Sequence, residues 1–166
     1  MQMSSVLREV LFLVLLVLAN GVFAMSEFAV ISARKARLQQ RAGVGDRGAR
    51  MALQLAESSG QFLSAIQVGI TVIGILAGAV SGANLARALA EVLGQWPWIG
   101  RSAYSVAMVL VVAAITYLTL VLGELVPKRM ALNNPEKAAS LLAPPMHFFS
   151  LLTRPVVRFL SASTEG

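Results

Sequence analysis

The chain has 166 residues, 57% of them hydrophobic and 13% charged, with 14 Lys and Arg against 8 Asp and Glu for a net charge of +6. This leaves too little polar surface for a water-soluble domain and suits an all-α integral membrane protein of about three spans with connectors. No cysteine is present, which excludes disulfides and thiolate metal sites, and His147 is the single histidine. The basic residues gather in connectors beside apolar runs, a pattern of membrane topology rather than of nucleic-acid binding.

The first span is expected over residues 7–33. Its opening, Val10 to Ala19, is fully apolar, and its second half is interrupted by Asn20, Gly21, Ser26, Glu27 and Ser32. Polar atoms inside a span face other helices or a wet cavity. A signal peptide is a poor reading, because the run holds Asn20 and Glu27 and leads directly into a basic connector.

Residues 34–57 carry Arg34, Lys35, Arg37, Arg41, Arg47 and Arg50 against Asp46 and Glu57. The positive-inside rule makes this connector cytoplasmic. Leu38, Met51, Leu53 and Leu55 suggest a juxtamembrane helical hairpin lying on the inner leaflet, turning at Gly43-Val44-Gly45-Asp46.

The second span, 61–80, holds Ser64, Gln67 and Thr71 at i, i+3 and i+7, which puts three oxygen-bearing side chains on one helix face. Gly74 and Gly78 form a small-xxx-small pair that admits a close helix neighbour. Interhelical hydrogen bonding is the plainer use of such residues. The following connector, with a short helix expected near Ala83 to Ala90 and an aromatic belt at Trp96 and Trp98, has only Arg87 and Arg101 as basic residues, so it is external. The amino terminus is then outside and the carboxyl terminus cytoplasmic.

The third span covers 103–126. The run Ala103 to Leu122 is uncharged and meets Gly123-Glu124-Leu125-Val126-Pro127-Lys128. Pro127 has no N–H for the Gly123 carbonyl, which leaves an unpaired backbone oxygen beside the Glu124 carboxylate. Such a pair suits a hard cation, Mg²⁺, Ca²⁺ or Na⁺. An ordinary i, i+4 ion pair between Glu124 and Lys128 explains the same residues. After Asn133-Asn134-Pro135-Glu136, an interfacial belt helix is expected over 134–160, broken by Pro144-Pro145, with Arg154 and Arg158 among lipid headgroups. His147 stands alone, and no serine–histidine or paired-aspartate constellation in the spans supports an enzyme.

Three stretches together, Asn20 to Ala29, Gln61 to Thr71, and Gly123 to Lys128 with Asn134-Pro135-Glu136, resemble the transmembrane domain of the CorC and cyclin M (CNNM) family of magnesium transporters. The resemblance covers nearly the whole chain. It implies a homodimer of three-span subunits in the inner (plasma) membrane bilayer, exporting Mg²⁺ in exchange for Na⁺. It also implies a dehydrated ion in an inward-facing cavity, with Glu124 as anionic ligand, Ser26 and Ser64 as hydroxyl ligands and the Gly123 carbonyl as a further oxygen. Asn20, Gln67, Thr71 and Asn84 are secondary candidates for the site or the ion path. Relatives often carry serine where this chain has Ala24, so Ser26 substitutes. On this reading residues 1–162 are the transmembrane domain and 163–166 a truncated linker toward an absent CBS pair, through which alone ATP would act. The alternative is a membrane anchor and dimeriser that senses ions for such a module; the polar groups on all three spans speak against it, since an anchor needs none.

Overall fold

A computed structural model of the chain describes residues 2–164, and all of its regular structure is helical. Seven α-helices follow one another: α1 (Gln2–Ser32), α2 (Lys35–Gly43), α3 (Arg47–Glu57), α4 (Ser59–Leu93), α5 (Ala103–Leu120), α6 (Val126–Asn133) and α7 (Pro135–Thr164). A π-helical turn, Val121–Leu125, welds α5 to α6. Three stretches are long and apolar enough to cross a membrane, Val6–Ser32, Ser59–Leu93 and Ala103–Asn133. They correspond to the three expected spans.

Helix α1 is the centre of the bundle, packing on α4, α6 and α7, while α5 packs mainly on α4. The main core gathers Ala29 and Val30 of α1, Leu38 of α2, Ala52 and Leu55 of α3, Phe62 and Ile66 of α4, and Ala139 and Ala143 of α7. Small residues dominate it, so the helices approach closely. Large side chains instead cover the outside: Leu11, Leu15, Val109, Tyr117 and Phe148 are exposed, as lipid-facing residues should be.

The basic connector forms the expected helical hairpin, α2 and α3. Gly45 sits at its turn with φ +97°, a left-handed conformation that favours glycine. Asp46 then caps α3, accepting from the Ala49 N–H at 3.0 Å. The same carboxylate accepts from the Ser140 hydroxyl of α7 at 2.7 and 2.9 Å and from Arg41 Nε at 3.0 Å. The Ala49 N–H, the Ser140 hydroxyl and the Arg41 guanidinium together hold the Asp46 carboxyl below its ordinary value of 3.8. A carboxyl with a depressed folded-state pKa adds stability above its unfolded pKa and loses it as pH falls through the folded one. Melting temperature should therefore drop below about pH 4, and Asp46→Ala should lower it at neutral pH while flattening that acid limb. Parallel acid limbs for the two proteins would contradict this.

Two expectations need correction. Helix α4 does not stop near residue 80; it continues to Leu93 and absorbs the separate external helix. Asn84-Leu85-Ala86 and Leu89-Ala90 are good enough helix formers to carry it past Gly78 and Gly82, and no proline interrupts before Pro97. Likewise α7 runs unbroken through Pro144, Pro145 and Pro155. Proline inside a helix typically costs about 3 kcal/mol, and here Ala139, Ala143 and Met146, buried against the rest of the core, offset it. Of the expected linker at 163–166, Ser163 and Thr164 are the last turn of α7, and the remaining two positions lie outside the described residues.

Candidate cation-binding site

The π turn follows from Pro127. Without an N–H at that position the ordinary hydrogen bond to the Gly123 carbonyl cannot form, and the ladder widens so that the Val126 N–H bonds the Val121 carbonyl. The Gly123 carbonyl is nevertheless not unpaired, which corrects the reading from sequence. It accepts a hydrogen bond of 3.0 Å from Asn20 Nδ2 of α1, in a buried setting. The crossing is tight: a Cβ at Gly21 would stand 3.0 Å from Pro127 Cγ and 3.2 Å from the Leu122 carbonyl oxygen. Asn20→Ala should thus strand a buried carbonyl and cost about 1–3 kcal/mol of stability in denaturant unfolding. An unchanged midpoint would show that the bond contributes nothing.

Glu124, one residue on, forms its ion pair with Lys128, so the structure contains the i, i+4 pairing that competed with the ligand reading. The Lys128 ammonium also lies 4.8 Å from the centre of the Phe28 ring, which holds the pair against α1. Ser26 is fully buried, and its hydroxyl donates to the Phe23 carbonyl at 2.8 Å. Neither residue is among those that line the cavity holding Ser64.

Ser64, Gln67 and Thr71 do come together. With Leu63, Val68 and Val72 of α4, Glu27 of α1, and Val157 and Leu160 of α7, they line a cavity of about 640 Å³. Spacing along α4 sets their shared face, and the α1–α4 contact sets Glu27 opposite them. Among the described residues Glu27 has neither an ion-pair nor a hydrogen-bond partner. A carboxylate, two hydroxyls and an amide oxygen are the donor set of a hard cation. No group of three His, Cys, Asp or Glu exists among the described residues, so neutral oxygens would have to supply most ligands.

Asn20 and Glu27, seven positions apart, share one face of α1 at an axial separation of about 10 Å. The Asn20–Gly123 contact and the Glu27 side of the cavity therefore lie on one face of α1. Asn84 is elsewhere, donating to Glu9 Oε1 at 3.1 Å. Sequence reasoning noted Glu27 as an interruption but did not place it in the site. The available signal was its i+7 relation to Asn20 within an apolar span.

Comparison with known proteins covers almost the whole chain. Residues 11–166 match the family described as the cyclin M transmembrane N-terminal domain. A UPF0053 protein of Synechocystis is 51% identical over 98% of this chain and 36% of its own length. An uncharacterized protein of Mycobacterium tuberculosis is 36% identical over 93% of the chain and 44% of its own length. A protein of Haemophilus influenzae named polyamine export protein is 31% identical over 92% of the chain and 35% of its own length. The chain thus spans less than half the length of these relatives. Three apolar helices, the proline-opened π turn and a match across nearly every residue lead to one conclusion: the chain belongs to the cyclin M (CNNM) transmembrane domain family.

Proposed function

We propose that this domain is a carrier, not an enzyme, and that it moves Mg²⁺ through the cavity between α1 and α4. The observation that carries this reading is the Glu27 carboxylate, without a partner among the described residues, in one cavity with Ser64, Gln67 and Thr71 of a span-length helix. A charge in such a place is costly and functional by default. Mg²⁺ takes oxygen ligands in near-octahedral geometry and keeps water reluctantly exchanged, so a cavity this roomy admits the ion with part of its shell. Release of Glu124 from Lys128, with the Gly123 carbonyl freed from Asn20, would add the ligands that the sequence motif suggests, Ser26 among them. Na⁺ competing for the carboxylates is the proposed coupling ion, and export is the proposed direction.

Ser64, Gln67 and Thr71 are exposed in the single chain. Such a stripe does not face lipid; it faces water or a second copy. The groove along Gly74, Gly78 and Gly82, beside Val112 and Thr116 of α5, is likewise unfilled by this chain. A homodimer in the plasma membrane bilayer, with amino termini outside, α2–α3 on the inner leaflet and α7 as a belt, accommodates both features.

A second reading, an organic polycation as cargo, is favoured by the apolar walls Leu63, Val68, Val72, Val157 and Leu160 and by the name of the Haemophilus relative. Proteoliposomes holding a Mg²⁺ dye separate the readings. Protein-dependent Mg²⁺ flux that Na⁺ modulates and spermidine barely affects is the expected result. Spermidine flux without Mg²⁺ flux would replace the cargo, and no flux of either would leave a membrane anchor.

A further inference from the structure

The polar residues at the far end of the α1–α4 seam play no part in the cavity. Glu9 of α1 and Asn84 of α4 meet there across 75 positions of sequence, Asn84 Nδ2 donating to Glu9 Oε1 at 3.1 Å. The second carboxylate oxygen, Glu9 Oε2, is closed off from solvent and has no hydrogen-bond partner among the described residues. A sequestered carboxylate oxygen without a donor lacks either a proton or a cation. One and two turns further along α1, Leu13, Leu16 and Val17 pack with Ala77 of α4 in an apolar cluster. Asn84 itself is exposed in the single chain.

Its place along the helices matters. At about 1.5 Å per residue, Glu9 and Glu27 stand about 27 Å apart on α1, close to the ~30 Å thickness of a hydrocarbon core. Asn84 lies about 20 Å along α4 from Thr71 by the same rise. The two helices that build the cavity at one membrane face therefore carry a second carboxylate–amide pair at the other face.

We propose that Glu9 and Asn84 form an outer cation station, which the transported ion occupies as it leaves or enters the seam. Glu9 supplies the charge through Oε2. Asn84, with its amide turned over, supplies Oδ1 as a second oxygen, and water completes the shell of a hard divalent ion. The station binds more weakly than the cavity, having fewer protein oxygens. This inference rests on the transport reading above.

Calorimetric titration of the full chain in nanodiscs with MgCl₂ tests it. Wild type should give two classes of site, Glu9→Gln should weaken the weaker class by about tenfold or more and leave the stronger, and Glu27→Gln should do the reverse. Loss with Glu27→Gln and an unchanged isotherm with Glu9→Gln would overturn the station while the transport reading stands. Absence of any Mg²⁺ binding to wild type would take both down. Asn84→Asp supplies a second readout: with two acids facing each other, its melting temperature should fall in EDTA and recover with Mg²⁺ by more than wild type does. A melting temperature that Mg²⁺ leaves low would mark the pair as a structural clasp and overturn the proposal.

Discussion

Glu27→Gln should abolish Mg²⁺ flux while leaving the protein folded. Glutamine keeps the size and the hydrogen-bonding capacity of the side chain and removes only its charge. Among the described residues no cation neutralises Glu27, so no buried partner is orphaned by the change. The donors that remain in the cavity, Ser64, Gln67 and Thr71, are neutral. At an effective dielectric of about 20, typical near a protein surface, opposite unit charges about 4 Å apart attract by about 4 kcal/mol, a scale of roughly a thousand-fold in affinity. Glu124→Ala makes the informative companion. If flux survives Glu27→Gln and is lost with Glu124→Ala, the ion is held by the proline-associated motif instead, and the Glu124–Lys128 pair is then a resting state that opens during transport.

The second large effect concerns stability. Gly48→Ala should destabilise the bundle severely, because a Cβ there would stand 2.1 Å from the Ser140 carbonyl oxygen and 2.9 Å from its carbonyl carbon. The obstacle is backbone, and it cannot rotate aside. Helices α3 and α7 would have to separate, which breaks the Asp46–Ser140 hydrogen bonds at the same joint. Overpacking of well-fitted cores costs about 1–3 kcal/mol and occasionally more, and a backbone collision belongs at the upper end. Gly43→Ala is the control, since nothing lies within 4 Å of its Cβ position. That change should be neutral or mildly stabilising, within about 0.5–1 kcal/mol. Equal melting temperatures for the two variants in detergent would show that α3 and α7 are not packed in this way.

The joint matters beyond stability. Ser140 belongs to α7, whose later residues Val157 and Leu160 wall the cavity, while Asp46 and Gly48 belong to the hairpin. The α2–α3 hairpin is thereby joined to the helix that walls the candidate site.

Long apolar runs and basic connectors were enough to place three spanning helices and the α2–α3 hairpin, because those features depend on local burial and charge. Gly45 marked its turn for the same reason, needing only its own backbone. The end of α4 and the continuity of α7 were hidden: whether Gly82 or Pro144 breaks a helix depends on packing that outweighs a local penalty, and Ala139, Ala143 and Met146 are buried by partners distant in sequence. In the site, the spacing of Ser64, Gln67 and Thr71 was legible from helical periodicity alone. Pro127 showed that the Gly123 carbonyl loses its ordinary donor, but the replacement, Asn20, is 103 positions away. Which polar residue of α1 faces α4 is set by the rotation of one helix against another. For that reason Glu27 emerged only from the three-dimensional arrangement.

The most direct test of the central claim is the anomalous scattering of Mn²⁺, which shares the oxygen preference of Mg²⁺, in crystals of this domain grown in lipid. The account predicts a peak between Glu27 and the Ser64–Gln67–Thr71 face, absent from Glu27→Gln crystals. A peak beside Glu124 and the Gly123 carbonyl, with none in the α1–α4 cavity, would contradict it.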